Sequence, residues 1–230
     1  MSHRPGTSCV GIVPLFTGLS PEEQEEVATH ARPLRRRRGE AIHRPGEDVS
    51  HLLVVHHGRV KISHLAPNGH EQLLRVLEPG DFIGETAFVT GARPDDWATA
   101  LTDVELCSFE HQDLATLVAQ FPDIAVRMLH TVTSRLDAAE RLIADLTSAD
   151  VESRLAGYLM GLPAQHQAGR LVVRLPLAKK DIASLLGTTP ETLSRRLAAF
   201  TEAGLITVRG SEVVVIDPAG LEAAAESGVR

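Results

Sequence analysis

From about residue 36 to 109 the sequence is made of brief β-rich runs punctuated by glycine. The runs are "HLLVVHHG" (51–58), "RVKISHL" (59–65), "EQLLRVL" (71–77) and "WATALTDVELCSF" (97–109), and the glycines fall at 39, 46, 58, 69, 80, 84 and 91. Short β-rich stretches with turn residues at this spacing predict antiparallel strands folded into a sandwich or barrel.

Either side of this block the period is helical. "SPEEQEEVATHAR" (20–32) places Ser20 as an N-cap, Pro21 in the first turn and acidic side chains at the positive end of the helix dipole. From Phe121 to about Leu146, the residues Leu129, Val132, Leu136, Ala139, Ile143 and Leu146 recur at alternating spacings of three and four. Such a narrow seam on a long helix predicts pairing with a second copy, and a self-pairing seam makes a two-fold homodimer. A further helix starts near Asp150 and runs into "GLPAQHQAGR", read as a loop. Then come "LAKKDIASLLG" (177–187), "GTTPETLSRRL" (187–197) and "LITVRGSEVVVID" (205–217), two short strands around Arg209-Gly210-Ser211. Helix, tight turn, helix and hairpin is the pattern of a winged helix-turn-helix. The expected class is α+β, with an N-terminal arm (1–19), a β-roll (20–110), a dimerisation helix region (111–147) and a winged helix-turn-helix (148–230).

Charge divides the chain in the same way. Residues 169–210 hold seven basic side chains (Arg170, Arg174, Lys179, Lys180, Arg195, Arg196, Arg209) and three acidic ones (Asp181, Glu191, Glu202). That module is +4, leaving −11 for the rest of a chain whose total is −7. The segregation favours a C-terminal module that meets phosphate, joined to an acidic body with another task. Aromatics are only 3% of 230 residues, so the cores must be built from aliphatic side chains. No apolar run is long enough to span a membrane, and the N-terminus lacks the apolar core of a signal peptide, so the expected location is the cytoplasm.

Within "GTTPETLSRRL", Thr189 can cap a helix and Pro190 suits its first position. Leu193, Leu197 and Phe200 share one face and can pack on Ile182, Leu185 and Leu186. Glu191, Ser194 and Arg195 lie at i, i+3 and i+4 on the opposite face. The N-terminal end of the second helix of such a pair enters the major groove. There Arg can donate twice to guanine O6 and N7, and Glu can accept from the cytosine amino group. The alternative is a Glu191 that merely favours the helix dipole and an Arg195 that is a solvated surface charge.

These features together resemble the Crp/Fnr superfamily of bacterial transcription regulators over nearly the whole chain. The β-roll signature stands as "RGEAIHRPGE … HLLVVHHGRVKI … LEPGDFIGE", followed by the long helix and the winged helix-turn-helix. "ETLSR" is similar to the recognition motif of the Fnr and Dnr branches, where Glu, Ser and Arg read a TTGAT-type half-site. The resemblance implies that Glu191, Ser194 and Arg195 read bases. It also implies that a homodimer binds a palindromic promoter site on double-stranded DNA and that RNA polymerase is a further partner. Lys179, Lys180 and Arg196 are assigned to phosphate contacts or to surface solvation.

The signal is carried elsewhere. In the cyclic-AMP branch an Arg-Ser or Arg-Thr pair follows the "GE" turn by about ten residues and neutralises the cyclic phosphate. Here "GETAFVTGARPDDWATA" puts Asp95 and Asp96 at that spacing and Arg93 two residues early. Two carboxylates repel a phosphate, which argues against cyclic AMP. Glu85 is expected to stabilise the turn. In the iron–sulfur branch several N-terminal cysteines join one distal cysteine. "ELCSFEHQDL" matches the distal region at Cys107, but the N-terminal arm supplies only Cys9, which argues against a [4Fe-4S] cluster. The arrangement resembles the Flp group, and that resemblance implies a reversible Cys9–Cys107 disulfide coupled to DNA affinity. From the residues alone, Cys107 also reads as a small buried strand residue and Cys9 as an idle thiol.

Metal is a further alternative: Cys9 and Cys107 with histidines (His3 and His111 lie near them, and His51, His56, His57, His64 and His70 crowd the strands) would suit zinc or a related ion. The Dnr branch implies haem on a histidine, with no particular one marked. The run Arg35–Arg38 is expected to be a solvated strand or loop. No nucleophile–base arrangement or phosphate-cradling Gly-Lys motif supports catalysis, so an enzyme is not expected. The rival class is a β-roll ligand-binding protein whose C-terminal module contacts protein.

Overall fold

The computed structural model describes residues 10–11, 13–66, 69, 71–148, 150–167 and 170–227, the stretch 144–148 by its backbone only. The chain separates into two compact units, Met1–Ser134 and Arg135–Arg230. No helix among the described residues is long and apolar enough to cross a membrane.

The first unit opens with a single 3₁₀ turn at Pro14–Phe16 and helix α1 (Pro21–His30). Ser20 accepts the Glu23 amide at 3.3 Å and the Glu23 carboxylate accepts the Ser20 amide at 2.6 Å, a reciprocal cap that fixes where the helix begins. Eight strands follow: β1 (Arg32–Arg36), β2 (Ala41–His43), β3 (His51–His57), β4 (Val60–Leu65), β5 (Glu71–Leu77), β6 (Phe82–Ile83), β7 (Trp97–Ala100) and β8 (Val104–Glu110). Short helix α2 (Glu85–Thr90) lies between β6 and β7. All pairings are antiparallel, in two four-stranded sheets ordered β1-β8-β3-β6 and β2-β7-β4-β5.

Strand β3, in the interior of the first sheet, is buried on both faces, which explains why "LLVV" (52–55) does not alternate with polar residues. Leu53 and Val55, with Val104 and Leu106, join Val60, Ile62 and Ala98 of the second sheet in a core between the sheets. Leu52 and Val54, with Cys107 and Phe109, point the other way, into a core shared with Val10, Val13, Phe16, Val27, Leu114, Leu117, Ile124 and Met128. These last four side chains come from helix α3 (His111–Gln120) and the start of the long helix α4 (Asp123–Ser148). Each fully buried Leu, Ile or Phe in these layers contributes about 1.5–3 kcal/mol.

Two glycines are required by geometry. Gly84, at φ +98°, caps α2, and a Cβ there would lie 2.3 Å from the His51 carbonyl oxygen. Gly58, at φ +84°, would place a Cβ equally close to the carbonyl of Asp103.

The second unit takes the C-terminal part of α4, then α5 (Val151–Gly161), β9 (Ala164–Gln167), β10 (Arg170–Arg174), α6 (Lys179–Leu185), α7 (Pro190–Glu202), β11 (Ile206–Arg209), β12 (Glu212–Val215) and α8 (Pro218–Glu226). Its sheet is antiparallel, ordered β11-β12-β10-β9. Leu155, Leu159, Val173, Ile182, Leu186, Leu193, Leu197, Phe200, Ile206, Val213 and Leu221 form one core. The segment read as a loop from the sequence contains strand β9, which pairs antiparallel with β10. Every β9 residue is exposed, so "AQHQ" (164–167) carries no alternation to betray a strand. Helix α8 is a second addition. Asp217 caps it by accepting the Gly220 amide at 3.0 Å, and only Leu221 is fully buried on it.

Candidate nucleic-acid interface and sensory core

Helix α7 begins as its sequence requires. The Thr189 hydroxyl accepts the Thr192 amide at 3.2 Å, with Pro190 at the first helical position. Leu193, Leu197 and Phe200 anchor it against Ile182, Ala183 and Leu186. Leu185, expected in that contact, is half-buried and stands outside the cluster. The opposite face is open: Glu191, Ser194 and Arg195 are all exposed.

The three side chains differ in what they can offer. Ser194 Oγ donates to the Pro190 carbonyl at 2.8 Å, so toward solvent its oxygen is left as an acceptor. Arg195 Nη2 donates to Thr192 Oγ1 at 3.1 Å, which tethers the guanidinium one turn back along the helix. The Glu191 carboxyl is held below the usual carboxylate range by its own backbone amide, then by the Thr189 hydroxyl and the Arg195 charge. It is therefore an acceptor at neutral pH, which is the form that takes a cytosine amino hydrogen.

The other basic residues sort by their partners. Lys179, Lys180, Arg170 and Arg209 are exposed. Arg174 is paired with Glu212 at 2.6 Å across the sheet. Arg196, half-buried, has Nη1 on Glu152 Oε2 at 2.8 Å, so one of its donors is already committed to α5. Asp150 caps α5, and its carboxyl is lowered chiefly by the Ser153 amide, with smaller contributions from the Ser153 side chain, the Glu152 amide and the Arg196 charge.

The seam residues Leu129, Val132, Leu136, Ala139 and Ile143 are exposed on α4, the large ones by 41–66%. Leu146 lies among residues whose side chains are not described. An apolar stripe of this kind on one side of a helix has the pattern of a contact surface.

In the β-roll a cavity of about 80 Å³ is lined by His43, Ile62, Arg75, Gly84, Glu85, Arg93, Asp95 and Asp96 among others. His43 Nε2 and Asp96 Oδ1 are 2.8 Å apart across it. Arg75 approaches Glu85 at 3.6 Å, and Arg93 Nη1 donates to the Gly46 carbonyl at 3.3 Å. The cavity therefore holds two guanidinium groups against three carboxylates.

Cys107 is disulfide-bonded. It is 5% exposed on β8 and packs in the core that contains Val10, Ile124 and Met128. Cys9, His3 and His70 lie outside the described residues. Among the described residues no group of three His, Cys, Asp or Glu side chains is placed to hold a metal ion. The Arg35–Arg38 run begins on edge strand β1, where Arg35 pairs with Glu105 at 2.9 Å, and the Arg38 amide donates to Asp103.

The Cyclic nucleotide-binding domain family matches residues 33–121, and the Crp-like helix-turn-helix domain family matches residues 153–224. "Probable transcriptional regulator flp" of Lacticaseibacillus casei is 35% identical over 217 residues, covering 94% of this chain and 97% of that protein. The chain belongs to the Crp/Fnr family of transcription regulators. Another Crp/Fnr relative, the "CRP-like cAMP-activated global transcriptional regulator" of Mycobacterium tuberculosis H37Rv, is 30% identical over 206 residues, covering 88% of this chain and 92% of that one. The fold is also that of a CooA double mutant from Carboxydothermus hydrogenoformans, at TM-score 0.77 and 21% identity over 87% of this chain and 90% of that one. As a Crp/Fnr-family protein this chain is a DNA-binding transcription regulator, not an enzyme.

Proposed function

We propose that this regulator acts as a cytoplasmic homodimer that reads a TTGAT-type inverted repeat. The observation that carries the reading is the joint exposure of Glu191, Ser194 and Arg195 on the first turns of α7, with an acceptor, an acceptor and a tethered double donor in that order. Pairing of two α4 seams supplies the two-fold axis, and the axis sets half-sites about one helical turn apart. Lys179 and Lys180, exposed at the start of α6, meet the phosphates. RNA polymerase is the further partner of the DNA-bound dimer. A gel shift at moderate salt, with the TTGAT palindrome against a scrambled duplex, tests this. A clear preference for the palindrome is expected, and equal binding to both overturns the reading.

The signal enters through Cys9 and Cys107. Support comes from the disulfide at Cys107, from Cys9 as the chain's other cysteine, and from the burial of its neighbour Val10 in the same core. Oxidation removes two electrons and two protons from the thiols, and a small-molecule disulfide can accept them by exchange. A bridge here restrains the segment packed beneath the first turns of α4, where Ile124 and Met128 lie. Reduction releases that restraint and leaves Cys107 as a small apolar core residue.

The lining of the β-roll cavity disfavours a cyclic nucleotide. Asp95, Asp96 and Glu85 would face the phosphate, and Arg93 is turned to a backbone carbonyl. A [4Fe-4S] cluster also fits poorly, because it is held by four thiolates and the chain has two cysteines.

A further inference from the structure

Arg196 stands next to a base reader, yet it does not share the reading face. At about 100° per residue, Arg195 lies about 40° from Glu191 around the helix axis and Arg196 about 140°. That turns Arg196 toward the flank of the apolar face, where Leu193 and Leu197 are buried, and its guanidinium meets Glu152 in the first turn of α5. Two residues further along α5, Arg154 Nε donates to the carbonyl of Leu186, the C-cap of α6, at 3.1 Å. The start of α5 thus grips both helices of the pair, α6 through Arg154 and α7 through Glu152.

We infer that Arg196 is a positioning residue for DNA reading: its ion pair with Glu152 sets the rotation of α7, and so the aim of Glu191, Ser194 and Arg195, instead of neutralising a phosphate. The inference rests on the DNA-reading role of α7 but not on the identity of the half-site. Asp150 caps the same turn of α5, and the Arg196 charge helps to keep it ionised. α5 begins just beyond the end of α4 at Ser148, so a twist at that junction reaches the reading helix through one carboxylate and one guanidinium.

The rival assignment is a phosphate held in the open notch lined by Thr192, Arg195 and Arg196, and it makes opposite predictions. Binding is measured on the duplex that the wild-type protein selects from a randomised pool, and on a scrambled duplex, across a salt series. Selection of a site unlike TTGAT would remove the half-site reading and leave this test intact. Positioning predicts that Glu152→Gln and Arg196→Gln each weaken binding to the selected duplex about three- to tenfold, with scrambled binding unchanged. The salt dependence also stays the same, and the exchanged pair Glu152→Arg with Arg196→Glu recovers part of the loss. A phosphate contact predicts that Arg196→Gln weakens both duplexes and lowers the salt slope by about one. Glu152→Gln then strengthens both, and the exchanged pair is the weakest of all. Either of those last results overturns the inference.

Discussion

His43 Nε2 and Asp96 Oδ1 lie 2.8 Å apart, joining β2 to the segment before β7 across the β-roll cavity. His43 is only 8% exposed, so a ligand that separates the two leaves a largely buried imidazole nitrogen without its partner. Cyclic AMP at millimolar concentration is therefore expected to change neither the thermal midpoint nor the affinity for DNA. A ligand at one hundred times its Kd stabilises a protein by about 2.7 kcal/mol, so a midpoint shift of several degrees would contradict the geometry.

Replacing Arg195 with alanine removes the double donor and leaves Glu191 and Ser194 in place. Binding to the palindrome should weaken by about 1–3 kcal/mol, with little change on scrambled DNA. Equal losses on both would mean that Arg195 touches only phosphate.

The α4 seam makes a prediction about mass. Leu136 is 57% exposed, so Leu136→Glu costs the single chain little but places a carboxylate in a paired seam. Light scattering should report a dimer for the wild type and a monomer for the variant, with palindrome binding lost alongside. A wild type that is already monomeric at micromolar concentration rules out the seam.

Thiol chemistry can be read directly by mass spectrometry after alkylation. Oxidised protein should retain two unmodified cysteines, and mild reduction should expose both. DNA affinity of the parent should change between the two forms. If Cys9→Ser responds to oxidant as the parent does, the disulfide is not the switch.

His111 provides a pH dependence. It begins α3, its Nε2 is buried with no hydrogen-bond partner among the described residues, and burial lowers its pKa, opposed by the backbone groups of His51 and Gly84. The unfolded chain then binds a proton at higher pH than the fold does. Stability from this residue is complete above about pH 6.5 and is lost as the pH falls toward the lowered folded value. Urea midpoints of the wild type at pH 7.5 and 5.5 should differ by more than those of His111→Gln; an identical difference would rule out this contribution.

What the sequence disclosed depended on how local each cause was. Thr189, Pro190 and the Leu193–Leu197–Phe200 face act within one helix, so the start and apolar side of α7 were readable before any fold was known. The same holds for Ser20, the N-cap of α1. β9 was hidden because its exposed residues obey no period, and the Arg196–Glu152 pair because its partners are 44 residues apart in sequence. The β-roll cavity shows a middle case. Asp95 and Asp96 were visible as misplaced carboxylates, whereas the commitment of Asp96 to His43 depends on how β2 pairs with β7.

None of the three proposed base readers contributes to the core of the second unit. Substitutions at Glu191, Ser194 and Arg195 are therefore nearly free of folding penalty, while Leu193, Leu197 and Phe200 between them cannot drift. A lineage carrying this scaffold can change its operator one letter at a time without passing through unfolded intermediates, and an engineer can do the same. Regulatory rewiring and structural upkeep are written on opposite sides of a single helix.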